Sequence, residues 1–230
     1  MDQLGPEEWA AIRLSLWVAG VAMLAALPIA IGVAYLLARK RFPGRHLLNG
    51  LVHLPLVLPP VVTGYLLLIV FGRQGAVGAF LYDAFGITLA FRWTGAALAA
   101  AIMAFPLMVR AIRLAIEAIS PGLEDAAATL GASRMRIFVT VTLPLILPGI
   151  LAGGILGFAK ALGEFGATIT FVAAIPGQTQ TIPTAIYGLL QVPGAEPAVL
   201  GLVVVSIILA MGALLVSEWL ARRVTKRMGQ

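Results

Sequence analysis

Residues 123–144 read LEDAAATLGASRMRIFVTVTLP, and the fold turns on this stretch. Its first half belongs on a water-facing helix pair, with acids at Glu124 and Asp125, a break at Gly131 and arginines at 134 and 136. Both flanks are apolar. A polar island between two long greasy runs implies a chain that crosses a membrane on either side of it and holds the island outside the bilayer.

Outward from the island, 60% of the 230 residues are hydrophobic and 11% are charged, against about 25% charged in a soluble domain. Uncharged runs cover Leu14 to Ala38, Leu47 to Gly72, Trp93 to Val109, Ile137 to Ala159 and Pro197 to Ser217. A span needs about 20 apolar residues, so these predict an all-α bundle of five transmembrane helices. None alternates polar and apolar residues as a membrane β-barrel strand does. A sixth uncharged run, Phe165 to Ala195, carries Pro176, Gly177, Pro183 and Pro193 and reads as an external or re-entrant segment.

The net charge of +6 comes from clustered basic residues. Twelve of the sixteen fall in three groups: Arg39, Lys40, Arg41 and Arg45; Arg110, Arg113, Arg134 and Arg136; Arg222, Arg223, Lys226 and Arg227. Five spans place all three on one side, which the positive-inside rule makes cytoplasmic, so the charge calls for no nucleic acid. The C-terminus is then cytoplasmic and the N-terminus, with Asp2, Glu7 and Glu8, is outside. The first apolar run is too long for a signal peptide and reads as a retained span. Without cysteine, and with only His46 and His53, no thiolate or histidine metal site is expected.

The second span contains LVHLPLVLPPVV at 51–62, with prolines at 55, 59 and 60, and a helix broken so deep points its freed carbonyls inward. The third is alanine-rich, and the fourth has glycines at 149, 153 and 157, a spacing for close helix contact. One membrane domain over residues 1–230 is expected, with a cytoplasmic loop at about 118–142.

That loop spends more than twenty residues where a turn takes about 4 to 6. SPG at 120–122 starts a short helix whose first turn holds Glu124 and Asp125, favoured there by the dipole. Gly131 ends it, and ASRMRIF leads to Leu143 and Pro144, where the fourth span begins. Alanines 126–128 give a face that a partner can approach closely. The order Asp125-Ala126-Ala127, three residues, Gly131, nine residues, Val141, one residue, Leu143-Pro144 resembles the EAA loop of ABC-transporter permease subunits, with Asp for the usual Glu and Val for the usual Ile. The resemblance implies a type I importer fold and a coupling element made of Glu124, Asp125, Ala126, Ala127, Gly131, Ala132, Arg134, Leu143 and Pro144 that docks on an ATPase subunit.

ALGEFGATITFVAAIPGQTQTIPTAIY at 161–187, LVHLPLVLPPVV at 51–62 and FPLMVRAIRLA at 105–115 resemble the molybdate permeases within that family; sulfate and tungstate permeases share GEFG-type text. The resemblance implies a homodimeric pore in a prokaryotic cell membrane, surrounded by lipid, with two ATP-binding cassette subunits and an external molybdate-binding protein. ATP and Mg would sit on the partner ATPase and no cofactor on this chain. Candidates for the path and gate are Pro59, Pro60, Thr63, Lys160, Glu164, Phe165, Gly166 and Thr168, with Thr170 beside them. Lys160 and Glu164, four apart at the outer end of the fourth span, can face each other on one helix.

No lysine follows a glycine, so the chain has no G-x-x-x-x-G-K-[ST] loop of its own. An ion-coupled secondary transporter is the rival reading. It calls for coupling carboxylates near the midplane, where the five runs carry none.

Overall fold

A computed structural model describes residues 4–227. Asp2 lies outside the described residues, as do the side chains of Arg222, Lys226 and Arg227. The described chain is all-helical. Its elements are α1 (Pro6–Arg39), α2 (Arg45–Val57), α3 (Pro60–Phe71), α4 (Ala76–Phe85), α5 (Trp93–Glu117), α6 (Pro121–Thr129), α7 (Arg134–Ile137), a π-turn (Phe138–Thr142), α8 (Leu143–Leu162), α9 (Gly166–Val172), α10 (Ile182–Leu189) and α11 (Glu196–Arg227).

Four stretches are long and apolar enough to cross a bilayer: α1, α5, α7 through α8, and α11. The fifth crossing is the pair α2 and α3, bent by 116° at the Leu58–Pro59 break. Neither member, at 13 and 12 residues, spans about 30 Å alone. The pair still carries the chain across. Trp17 packs on Trp93 with ring centroids 6.1 Å apart and Arg39 donates to the Ile119 carbonyl, so α1 and α5 run parallel. Residues 40–92 must therefore run from the Arg39 end to the Trp93 end.

The core is built on small residues. Ala19, Ala22, Ala26, Ala30 and Ala34 form a buried stripe on α1, and α5 buries Ala96, Ala97, Ala99, Ala100 and Ala104. Without a hydrophobic drive in lipid, such surfaces associate by close backbone approach. The α8 glycines do the same against α5. A Cβ on Gly149 would collide with Ala115, one on Gly153 would lie 3.2 Å from the Met108 carbonyl oxygen, and one on Gly157 would collide with the Met108 side chain. At the other end, Ser15 accepts a 2.7 Å hydrogen bond from the Ile182 amide and so pins α10 to α1.

The fourth crossing extends further than the charge pattern implied. Gly157 meets Met108, and Val172 meets Gly95 in the first turn of α5. Residues 160–166 therefore lie opposite the middle of the 25-residue α5, and α9 completes the crossing. Phe165 to Val172 belong to the span. The external or re-entrant reading is thereby narrowed to residues 173–195, where the one helix, α10, has 8 residues, too few to cross.

Basic residues read as a topological signal also hold the fold. Arg45 donates through Nε and Nη2 to the Leu37 carbonyl at 3.0 and 2.7 Å, satisfying an open carbonyl at the end of α1. Arg113 bonds Asn49 of α2 at 2.9 Å and Glu117 at 2.7 Å.

Candidate functional site

Two places gather the residues singled out in the sequence. The first is the knob between α5 and α8. Pro121 opens α6, and Gly131, at φ +83°, closes it. The Gly131 amide donates to Ala128 and the Ala132 amide to Ala127, the paired bonds of a Schellman cap. Ser133 then caps α7 by accepting from the Arg136 amide.

Between α7 and α8 the chain widens into a π-turn in which the Leu143 amide reaches back to Phe138. Pro144 has no amide to continue the usual register, so a wide turn costs less here. Edge-on packing of Phe138 on Tyr35, 5.2 Å between centroids, holds this turn against α1. Leu143 and Pro144 thus sit where the knob becomes the span.

The knob exposes Asp125, Ala126, Ala128, Gly131, Arg134 and Arg136, while Ala127 and Ala132 are half-buried. Leu130 and Met135 stand 89% and 71% exposed beside them. Exposed apolar side chains set in a polar rim mark interaction surfaces. Sequence reading missed both, because a lone Leu or Met in a helix carries no periodic signal.

Glu124 faces the other way. Its Oε1 accepts a 2.7 Å hydrogen bond from Thr142 of the π-turn, and its Oε2 lies 3.2 Å from Arg39 Nε at the end of α1. The Nε–H is not aligned for a hydrogen bond, and the guanidinium donates instead through Nη2 to Ile119. Neither Arg39 nor Thr142 stood out in the sequence as a partner of the knob.

The second place is the pair of helix breaks inside the bundle. A Cβ on Gly64 would lie 2.6 Å from the Ala167 carbonyl oxygen, and one on Gly166 would lie 2.6 Å from Pro60 Cβ, so α3 and α9 pack backbone to backbone and start together. Glu164 sits at the break before α9. Its Oε2 pairs with Lys160 Nζ at 3.0 Å and its Oε1 accepts the Ala167 amide at 2.9 Å. The carboxylate side chain is 1% exposed and the lysine 32%. Phe165 packs on Tyr187 of α10 at 5.1 Å.

Thr63 and Thr168 are buried, Thr63 with no partner for its hydroxyl among the described residues. Thr170 bonds the Gly166 carbonyl of its own helix at 2.9 Å. Pro59 and Pro60 are exposed.

Two expectations change. Lys160 and Glu164 do face each other, but opposite the middle of α5 rather than at the outer end of the span. A carboxylate therefore does lie at mid-depth, contrary to the count taken from the uncharged runs. Its charge is already matched by an ammonium and an amide, unlike a carboxylate left open to a coupling ion.

The sequence pattern of binding-protein-dependent transport system inner membrane components matches residues 26–230. The molybdenum transport system permease protein ModB of Escherichia coli (strain K12) is 60% identical over 223 residues, 97% of each chain. The sulfate transport system permease protein CysT of Salmonella typhimurium is 38% identical over 81% of this chain and 67% of its own. The fold is also that of a bacterial alginate ABC transporter, solved with an alginate pentasaccharide-bound periplasmic protein. Its TM-score is 0.71 at 22% identity, over 98% of this chain and 81% of that one.

Proposed function

The chain belongs to the family of binding-protein-dependent transport system inner membrane components, and from that premise we propose that it forms the pore of an ATP-driven importer of molybdate. The substrate rests on the 60% identity to a molybdenum permease, against 38% to a sulfate permease. The chain is a permease subunit of the inner membrane. Two copies enclose the path, two ATP-binding cassette subunits carry ATP and Mg, and an external binding protein delivers the anion. The N-terminus is outside and the C-terminus cytoplasmic.

The observation that carries the coupling is the capped knob at the root of α8. Asp125, Ala126, Gly131, Arg134, Leu130 and Met135 form the face offered to the ATPase subunit. When ATP closes the paired ATPase subunits, the knobs move with them and α8 tilts, so that nucleotide selects the outward-open state. The breaks at Leu58–Pro59 and Gly163–Phe165 let α3 and α9 move against the lower halves of their spans. The path holds the anion weakly, because a deep well would trap it.

Competition for uptake tests the substrate. In vesicles holding the permease, its ATPase subunit and the binding protein, excess sulfate should leave labelled molybdate uptake nearly unchanged, whereas unlabelled molybdate should abolish it. Equal competition by sulfate would reassign the transporter to the sulfate group.

A further inference from the structure

We propose that Glu124 is a positioning residue inside the permease, a strut that makes the knob, α1 and α8 move as one, and that Asp125 alone of the two acids belongs to the docking face. This rests on the coupling role proposed above.

Adjacent positions on a helix point about 100° apart, so two neighbouring acids can serve different faces of the knob. Asp125 is exposed. The Glu124 side chain is 17% exposed and is shared between Arg39, the last residue of α1, and Thr142, the last residue of the π-turn under α8. The knob thus grips two spans that are 103 positions apart in sequence (142 − 39) through a single carboxylate.

Three further contacts converge there: Arg39 on the Ile119 carbonyl just before α6, Tyr35 on Phe138, and the widened turn that carries Thr142. Every element that leaves the membrane at this end of the α1–α5–α8 core is therefore tied to the root of the knob. A knob held only by its covalent junction to α8 would swing on the π-turn. Held also by Glu124, it transmits its displacement to α1 as well, and α1 packs along α5 through the alanine stripe.

The test uses the assembled transporter, with ATPase subunits and binding protein, in vesicles. Glu124→Gln keeps shape and removes charge, and Thr142→Val keeps volume and removes the hydroxyl. Each should lower the ratio of molybdate taken up to ATP hydrolysed about tenfold, the effect of losing one charge-assisted hydrogen bond, while as much ATPase subunit is recovered with the permease as in the unaltered protein. The double variant should lose little more than either single one, because both remove the same link. Asp125→Asn should do the reverse, lowering recovery of the ATPase subunit.

If Glu124→Gln lowers recovery of the ATPase subunit and leaves the ratio normal, Glu124 is a docking residue and the strut is wrong. A normal ratio in Thr142→Val overturns it too, and remains readable should Glu124→Gln fail to assemble. Failure of the coupling reading itself would appear separately, as uptake by the unaltered transporter that ignores ATP.

Discussion

Gly131→Val will insert and accumulate in the membrane but lose most ATP-driven uptake, whereas Gly131→Asn will keep most of it. Gly131 is at φ +83°, a region that a β-branched residue enters only under strain of roughly 1–3 kcal/mol and that asparagine tolerates far better. No atom lies within 4 Å of where its Cβ would be, so crowding within the chain contributes nothing. The strain falls on the Schellman cap that sets the angle between α6 and α7. Relief by unwinding that cap would leave the docking geometry a minority state, a loss of about tenfold or more in uptake at 1.4 kcal/mol per factor of ten. Both rates are to be measured at matched protein content in right-side-out vesicles loaded with ATP and given the binding protein outside. If the two variants transport equally, the left-handed turn is not what presents the docking face.

Lys160→Met will be markedly less stable than the double variant Lys160→Met/Glu164→Gln. The single change strands a carboxylate whose side chain is 1% exposed, opposite the middle of α5. Removing one partner of a buried pair costs about 3 kcal/mol or more, because the remaining charge stays buried without its match. The lysine's 32% exposure places the effect at the lower end of that range. Replacing both partners leaves a neutral amide still able to accept the Ala167 amide, so most of the loss should return. Thermal unfolding in detergent, followed by size-exclusion recovery, reads this directly. A single variant as stable as the double one would mean that Glu164 is not held as an ion in the span.

The knob was legible because its signals are local. A glycine after a short helix forces a left-handed cap, and the run of more than twenty residues separated it from an ordinary turn. The close approach of α8 to α5 was legible for the same reason, through glycines at 149, 153 and 157. The second span's break was marked by Pro59 and Pro60, although no local rule gives the size of its bend.

What was not legible depends on pairing between distant residues. Lys160 and Glu164 look like the end of a span because isolated charges do end spans. Their mutual pairing and the Ala167 amide allow them to stay at mid-depth. Glu124 and Asp125 are both good residues for a first turn, and only the arrival of Arg39 and Thr142 separates an inward acid from an outward one. Arg39 was read for topology, a role that does not preclude the contacts it makes.

We propose that this chain is moved through its knob by a partner that hydrolyses ATP. The deciding measurement is labelled molybdate uptake into vesicles, with the permease reconstituted alone or with the ATPase subunit and binding protein. Uptake is expected only in the complete assembly with hydrolysable ATP, and none with a non-hydrolysable analogue. Uptake by the permease alone, driven by a proton or sodium gradient, would contradict it.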